Sequence, residues 1–317
     1  MTAPRRRALV LALALSLALL LAAPAGAAGA DAGAPDPQPP ALSPGGAGLR
    51  LDRSAEVALL LPSTAPFWEE VRAAAQAAAQ RSGLGLICRS AHLTVDGEVQ
   101  VTQLLEVDAL SGLGAALLVP AQSDVAALAQ AAGATLPVLA LDGADSWAPL
   151  FSAQRLAEMS LSWCQAQPGR QQGVWLLCGG ARQGALVQGA QLLEDQLQAA
   201  GIPTRLTVGD GTRRGGEEAA EQALAYGILP DVLLCCDEET AAGALPALRA
   251  AGWDGRCLVW GGSSWSDQAL AGGQADAVLD LQPDRLGTWI VDRYLGRTAG
   301  GRLVPRPGPR LVTAAGA

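Results

Sequence analysis

Short apolar runs of strand length recur along this chain, and each gives way, after a turn marked by Gly, Pro or Ser, to a segment of helical character. Residues 57–61, 84–88, 114–119 and 137–141 read as strands, with helices over 67–81, 99–110 and 123–132. The rhythm restarts with strands at 173–178, 204–208, 231–235, 257–260 and 277–281 and helices at 185–200, 217–226, 239–251 and 284–295. A run apolar at every position, such as 57–61, suits a strand buried on both faces. Strand and helix in alternation mean an α/β fold of doubly wound parallel sheets, and two successive series mean two lobes joined by a hinge. The expected division is a leader over 1–30, a Pro/Ala/Gly linker over 31–50, an N-terminal lobe from 51–152 plus 282–302, and a C-terminal lobe from 153–281 plus 303–317. Residues 152–167 and 281–283 read as crossings between the lobes, and the Pro-rich tail from Arg302 as packing along the hinge.

In such folds ligands sit outside the carboxyl ends of the strands, so the loops there are the first place to look. The loop after the first strand carries Pro62, Ser63, Thr64 and Pro66, with Ser63 or Thr64 suited to cap the next helix. It delivers Phe67 and Trp68. Phe67 suits a helix staple and a ligand contact equally; Trp68, next to the loop tip, is read as a ligand contact. Of the eight tryptophans, Trp147 and Trp265 also fall on loops after strands, and Trp260 ends a strand nearby. Asp142 ends the fourth strand and suits either an Asp-Gly turn with Gly143 or a ligand acceptor.

Residues 1–30 have the parts of a cleavable export signal: Arg5, Arg6 and Arg7, an uncharged apolar run over 8–23, and the small residues Ala25, Gly26 and Ala27. The run is shorter than the ~20 residues a spanning helix needs, and residues 31–48 have the composition of a disordered linker. The signal carries three of the 22 basic residues and none of the 30 acidic ones, so its removal takes the net charge from −8 to −11. That balance argues against nucleic acid and anionic lipid as partners.

The inventory is equally restrictive for catalysis. The chain has no lysine, which excludes a phosphate-binding loop of the Walker type and a Schiff base. His92 is its single histidine and lies in a polar stretch, so neither a histidine-rich metal site nor a Ser–His–Asp triad is expected. The six cysteines lack zinc-site spacing; if the strands ending at Cys178 and Cys235 are neighbours, Cys178 could bridge to Cys235 or Cys236. Asp237 and Glu238 open a helix, where capping is their expected role.

Taken in order, the apolar strand followed by PFW and a helix, then LLVP, VLALD, LLCCDEETAAGALPALRAAG, LVWGG and LQPDRLG resemble the periplasmic sugar-binding proteins of the ribose-binding type. The resemblance runs from Ala55 to the C-terminus and implies the type I periplasmic binding fold, shared with LacI-type repressors: two lobes, three crossovers and closure on a small ligand. It implies that Phe67 and Trp68 stack on a sugar ring and that Asp142 accepts from hydroxyls. In the second lobe the chain departs from the pattern. An amide position falls on Cys236, an aspartate on Ser263, a glutamine on Leu281 beside Gln282, and an arginine near Leu186, with Arg182 and Gln183 as displaced alternatives. The expected ligand contacts are therefore Phe67, Trp68, Asp142, Trp147, Arg182, Cys236, Ser263 and Trp265, with no catalytic residue, metal or cofactor. An acidic cleft lined by indoles suits a stacked sugar, an aromatic compound or a cation. The function implied is a monomeric periplasmic solute-binding protein delivering a sugar or sugar-like ligand to an inner-membrane ABC permease. The alternative is an adaptor presenting the same fold to a membrane sensor kinase.

Overall fold

The computed structural model describes residues 56–91, 96–122, 124–142, 146–167, 173–179, 184–227, 229–299 and 302–313. The leader and linker, with His92, Ser123, Gly143, Arg182 and Gln183, lie outside these residues. The first series forms β1 (Glu56–Leu61), α1 (Pro66–Arg81), β2 (Leu86–Ser90), α2 (Gly97–Asp108), β3 (Leu113–Leu118), α3 (Val125–Ala131) and β4 (Val138–Ala140). Its strands make a parallel sheet in the order β2-β1-β3-β4. Val57 through Leu61 have no solvent exposure. Their side chains alternate, Leu59 and Leu61 entering one apolar core and Ala58 and Leu60 another, as a central strand with two covered faces requires.

The second series forms α4 (Ala153–Ala166), β5 (Val174–Cys178), α5 (Ala185–Ala199), β6 (Thr204–Val208), α6 (Arg213–Ala225), β7 (Val232–Cys235), α7 (Glu238–Ala250), β8 (Arg256–Gly261), α8 (Ser264–Ala271) and β9 (Ala277–Asp280). The chain then returns through α9 (Pro283–Leu295), the short strands β10 (Thr298–Ala299) and β11 (Arg302–Leu303), and β12 (Arg310–Thr313). The second sheet runs β12-β9-β8-β7-β5-β6, parallel except for β12, which pairs antiparallel with β9.

α9 packs against α1 of the first sheet, and Gly287 makes this possible: a Cβ there would sit 2.2 Å from the Val71 carbonyl oxygen. In the second lobe α6 and α7 cross as closely, and a Cβ on Gly243 would lie 1.7 Å from the Arg213 carbonyl oxygen. The chain therefore passes between the sheets before α4, before α9 and before β12. At the second passage Gln282 adopts a left-handed conformation (φ 56°), its amide donating to Asp280 Oδ1 at 2.7 Å and its side chain to the Gly308 carbonyl. One apolar cluster is shared by both lobes, from Val57 and Phe67 through Leu176 and Trp260 to Leu281 and Tyr294.

Several local expectations change. The residue capping α1 is Ala65, and Ser63 instead accepts from the Ala65 amide at 3.3 Å. α6 begins four residues before the expected 217, because Gly215 and Gly216 are helical rather than part of a loop. α8, which has no counterpart in the sequence reading, is started by Ser263, whose hydroxyl accepts from the Trp265 amide. The tail supplies a strand to the second sheet, since β9 would otherwise leave an unpaired edge. Residues 152–167 are not a crossing but mostly α4, packed on α5. Cys178 lies beside Cys236 and Cys235 beside Cys257, and none of the six cysteines is in a disulfide; the expected bridge is not formed.

Candidate functional site

The loops after β1, β3 and β4 meet those after β5, β6, β7 and β8 across a cleft with about 840 Å³ of empty space, part of it open to solvent. The N-terminal wall holds Pro62, Ser63, Phe67, Trp68, Pro120, Asp142 and Phe151; the opposite wall holds Gly179, Leu186, Cys236, Asp237, Glu238, Glu239, Trp260 and Leu281. The parallel strands account for this placement, because every strand-to-helix turn then opens at the same edge.

Phe67 and Trp68 lie in the first turn of α1, with ring centroids 5.0 Å apart at 89°, an edge-to-face pair. Phe151 extends the patch at 6.4 Å from Phe67. Phe67 is buried, whereas Trp68 is half-buried and faces the cleft. Across from them Trp260 lies at the cleft floor, 1% exposed, its indole N–H donating to Ser160 Oγ at 2.9 Å.

Two carboxylates of the N-terminal lobe reach backbone amides of the other lobe. Asp142 accepts from the Ala185 amide at 3.2 and 3.3 Å, at the start of α5. Glu70, on α1, accepts from the Ser264 amide at 2.7 Å, at the start of α8. Each acid thus meets the positive end of a helix across the cleft.

The acids of the opposite wall are held within their own lobe. Asp237 caps α7, Oδ1 accepting from the Thr240 amide at 2.7 Å and Oδ2 from the Gly179 amide and the Thr240 hydroxyl, both at 2.8 Å. Glu238 is buried; Oε1 accepts from the amides of Gly262 and Ser263, each at 2.9 Å, and from the Ser266 hydroxyl, and Oε2 from the Ser263 hydroxyl. Burial raises both carboxyls above the usual carboxylate range, against the opposing pull of these donors. Glu239 pairs with Arg213 at 3.4 Å.

Of the residues singled out in the sequence, Phe67, Trp68, Asp142 and Cys236 are brought together on the cleft, Cys236 as a buried thiol beside Cys178. Three others are placed elsewhere. Trp147 packs against the shared core, with the Arg293 guanidinium 5.5 Å from its ring. Trp265 packs against the core cluster of Trp175, Leu245 and Trp253. Ser263 is buried in the Glu238 network and caps α8. A loop position fixes where a backbone lies but not where its side chain points, which is why Trp147 turns away; Trp265, expected on a loop, is instead in the first turn of α8. Arg182 lies outside the described residues. Phe151, Leu186 and Trp260 also line the cleft. Trp260 carried a signal, as an aromatic closing a buried strand, and the resemblance puts an arginine position near Leu186; Phe151 carried none.

Among the described residues no helix is long and apolar enough to cross a membrane. Residues 54–269 match the family described as periplasmic binding proteins and sugar binding domain of LacI family. No curated protein matches the chain. Among solved structures, the periplasmic component of an ABC-type sugar transport system from Hahella chejuensis is similar at 23% identity and TM-score 0.66, over 81% of this chain and 99% of that one. A carbohydrate transporter solute binding protein from Agrobacterium radiobacter, in complex with D-arabinose, is similar at 18% identity and TM-score 0.67, over 83% and 95%. The Lac repressor bound to ONPG is similar at 18% identity and TM-score 0.63, over 83% and 82%.

Proposed function

This chain belongs to the family of periplasmic binding proteins and LacI-type sugar-binding domains, and on that premise we propose that it is the solute-binding component of an ABC importer. Exported by its leader and acting as a monomer in the periplasm, it captures a small neutral solute, a sugar or a ring compound of sugar size, between its lobes. It hands the solute to an inner-membrane permease and catalyses no reaction. The observation that carries this reading is a cleft walled by both lobes, with an aromatic patch on one side and carboxylates bridging to the other. Three chain passages between the sheets form a hinge on which such walls can close. The leader and the acidic balance fit a permease partner and not DNA, although the fold is shared with repressors.

Uptake tests the proposal directly. Cells lacking this protein should lose accumulation of its labelled solute and regain it from a plasmid copy; undiminished uptake would refute an importer role. A second reading, an adaptor presenting the fold to a membrane sensor kinase, is favoured by one observation: Asp142 and Glu70 tie the two walls to each other through backbone amides.

A further inference from the structure

The cleft is acidic by residue count, yet among the described residues the carboxylates of Asp142, Asp237 and Glu238 are already engaged. A carboxylate offers about four acceptor positions. Those of Glu238 take four donors from Gly262, Ser263 and Ser266, and those of Asp237 take three from Gly179 and Thr240. Asp142 already accepts from the Ala185 amide, and the Trp260 indole N–H is given to Ser160. Among the described lining residues much of the rest is carbon: the rings of Phe67, Trp68 and Phe151 on one wall, and Leu186, Leu281 and Trp260 on the other. The chain contains neither lysine nor asparagine, two of the residue types that would present donors to a polyol.

Resting on the solute-capture reading, we propose that the cleft selects a compact, largely apolar ring compound carrying one or two hydroxyl or carbonyl groups, in preference to a polyhydroxylated sugar. A flat or puckered ring gains contact with aromatic faces on one side and aliphatic side chains on the other. A sugar would bring several hydroxyls into the same space, and each hydroxyl stripped of water without a partner weakens binding by roughly tenfold. Two such losses make the discrimination about a hundredfold.

The test is titration calorimetry on the full chain without its leader, with cyclohexanol, 2-phenylethanol and indole as one set and D-ribose, D-arabinose and D-tagatose as the other. The expected result is binding of at least one ring compound about 100-fold tighter than any of the sugars, lost on Trp68→Ala. Trp68 is half-buried and can be truncated without emptying the core; thermal unfolding confirms that the variant is folded. A sugar binding as tightly as the best ring compound overturns this selectivity and leaves solute capture standing. Binding of neither set overturns both. Ring-compound binding that survives Trp68→Ala in a folded variant places the ligand elsewhere and overturns the assignment to this cleft.

Discussion

The two acids that reach across the cleft tie the lobes to each other. Glu70 to the Ser264 amide, at 2.7 Å, is a short charge-assisted contact to the first turn of α8; Asp142 to the Ala185 amide, at 3.2 and 3.3 Å, is a longer, divided one. A hydrogen bond to a charged group contributes about 1.5–3 kcal/mol net. Partial solvent exposure of Glu70 and the length of the Asp142 contacts reduce this to about 1.5 and about 1 kcal/mol. Helix-end charge effects of about 0.3–1 kcal/mol are of the same size. Together the pair favours the bridged arrangement by about 2.5 kcal/mol, roughly a 70-fold bias. The variant pair Glu70→Ala and Asp142→Ala removes both acceptors, and small-angle X-ray scattering of the ligand-free protein reads the outcome as a larger radius of gyration. Each single variant should fall between wild type and the double variant, and raised salt should shift wild type the same way. Superimposable scattering curves for wild type and a folded double variant would refute the reasoning.

Other expectations follow from packing and titration. Gly243→Ala forces a Cβ into the Arg213 carbonyl, so α6 and α7 must separate; urea unfolding should report a loss of about 3 kcal/mol or more, and an unchanged midpoint would contradict the crossing. Trp260→Phe removes the donor to Ser160 at the cleft floor and should lower stability by about 1–3 kcal/mol; a loss below about 0.5 kcal/mol would mean that this contact is not formed. Asp237 and Glu238 are raised from ordinary values of 3.8 and 4.5 by burial, so the folded chain retains protons there that the unfolded chain has released. The stability they contribute is complete below those ordinary values and is lost as pH rises through the raised folded-state values, so Asp237→Asn with Glu238→Gln should flatten the unfolding free energy against pH; parallel profiles for variant and wild type would argue against it. Burial pushes the Cys88 thiol up to about 11, and the other five cysteines are buried, so iodoacetamide should label none quickly in the native protein and all six after denaturation without reductant; fewer than six would reveal a disulfide.

The fold was legible where burial alone decides the element. Val57–Leu61 is apolar at every position because both faces are covered, and such a run leaves little choice but a central strand. It was less legible where a distant partner decides. Gly215 and Gly216 read as a loop, but Gly216 is wanted for its missing Cβ, which would sit 2.1 Å from the Thr240 carbonyl oxygen of α7. Arg310–Thr313 reads as part of a Pro-rich tail and becomes a strand only because β9 offers an open edge. The site divides in the same way. Phe67, Trp68 and Asp142 line the cleft because strand-to-helix turns share one edge of a parallel sheet. Phe151 is set by how the lobes face each other, which no local pattern records; Trp147 turns from its loop to the shared core, and Trp265, read as a loop residue, lies in α8 and packs on the second lobe's core.

Intrinsic tryptophan emission, titrated with a panel of sugars, polyols and small ring compounds, is the most direct test, because Trp68 and Trp260 stand on facing walls of the cleft. Capture of a solute between the lobes predicts a saturable change with at least one compound, reduced when Trp68 is replaced by leucine. Emission unmoved across the whole panel, in protein shown to be folded, would contradict it.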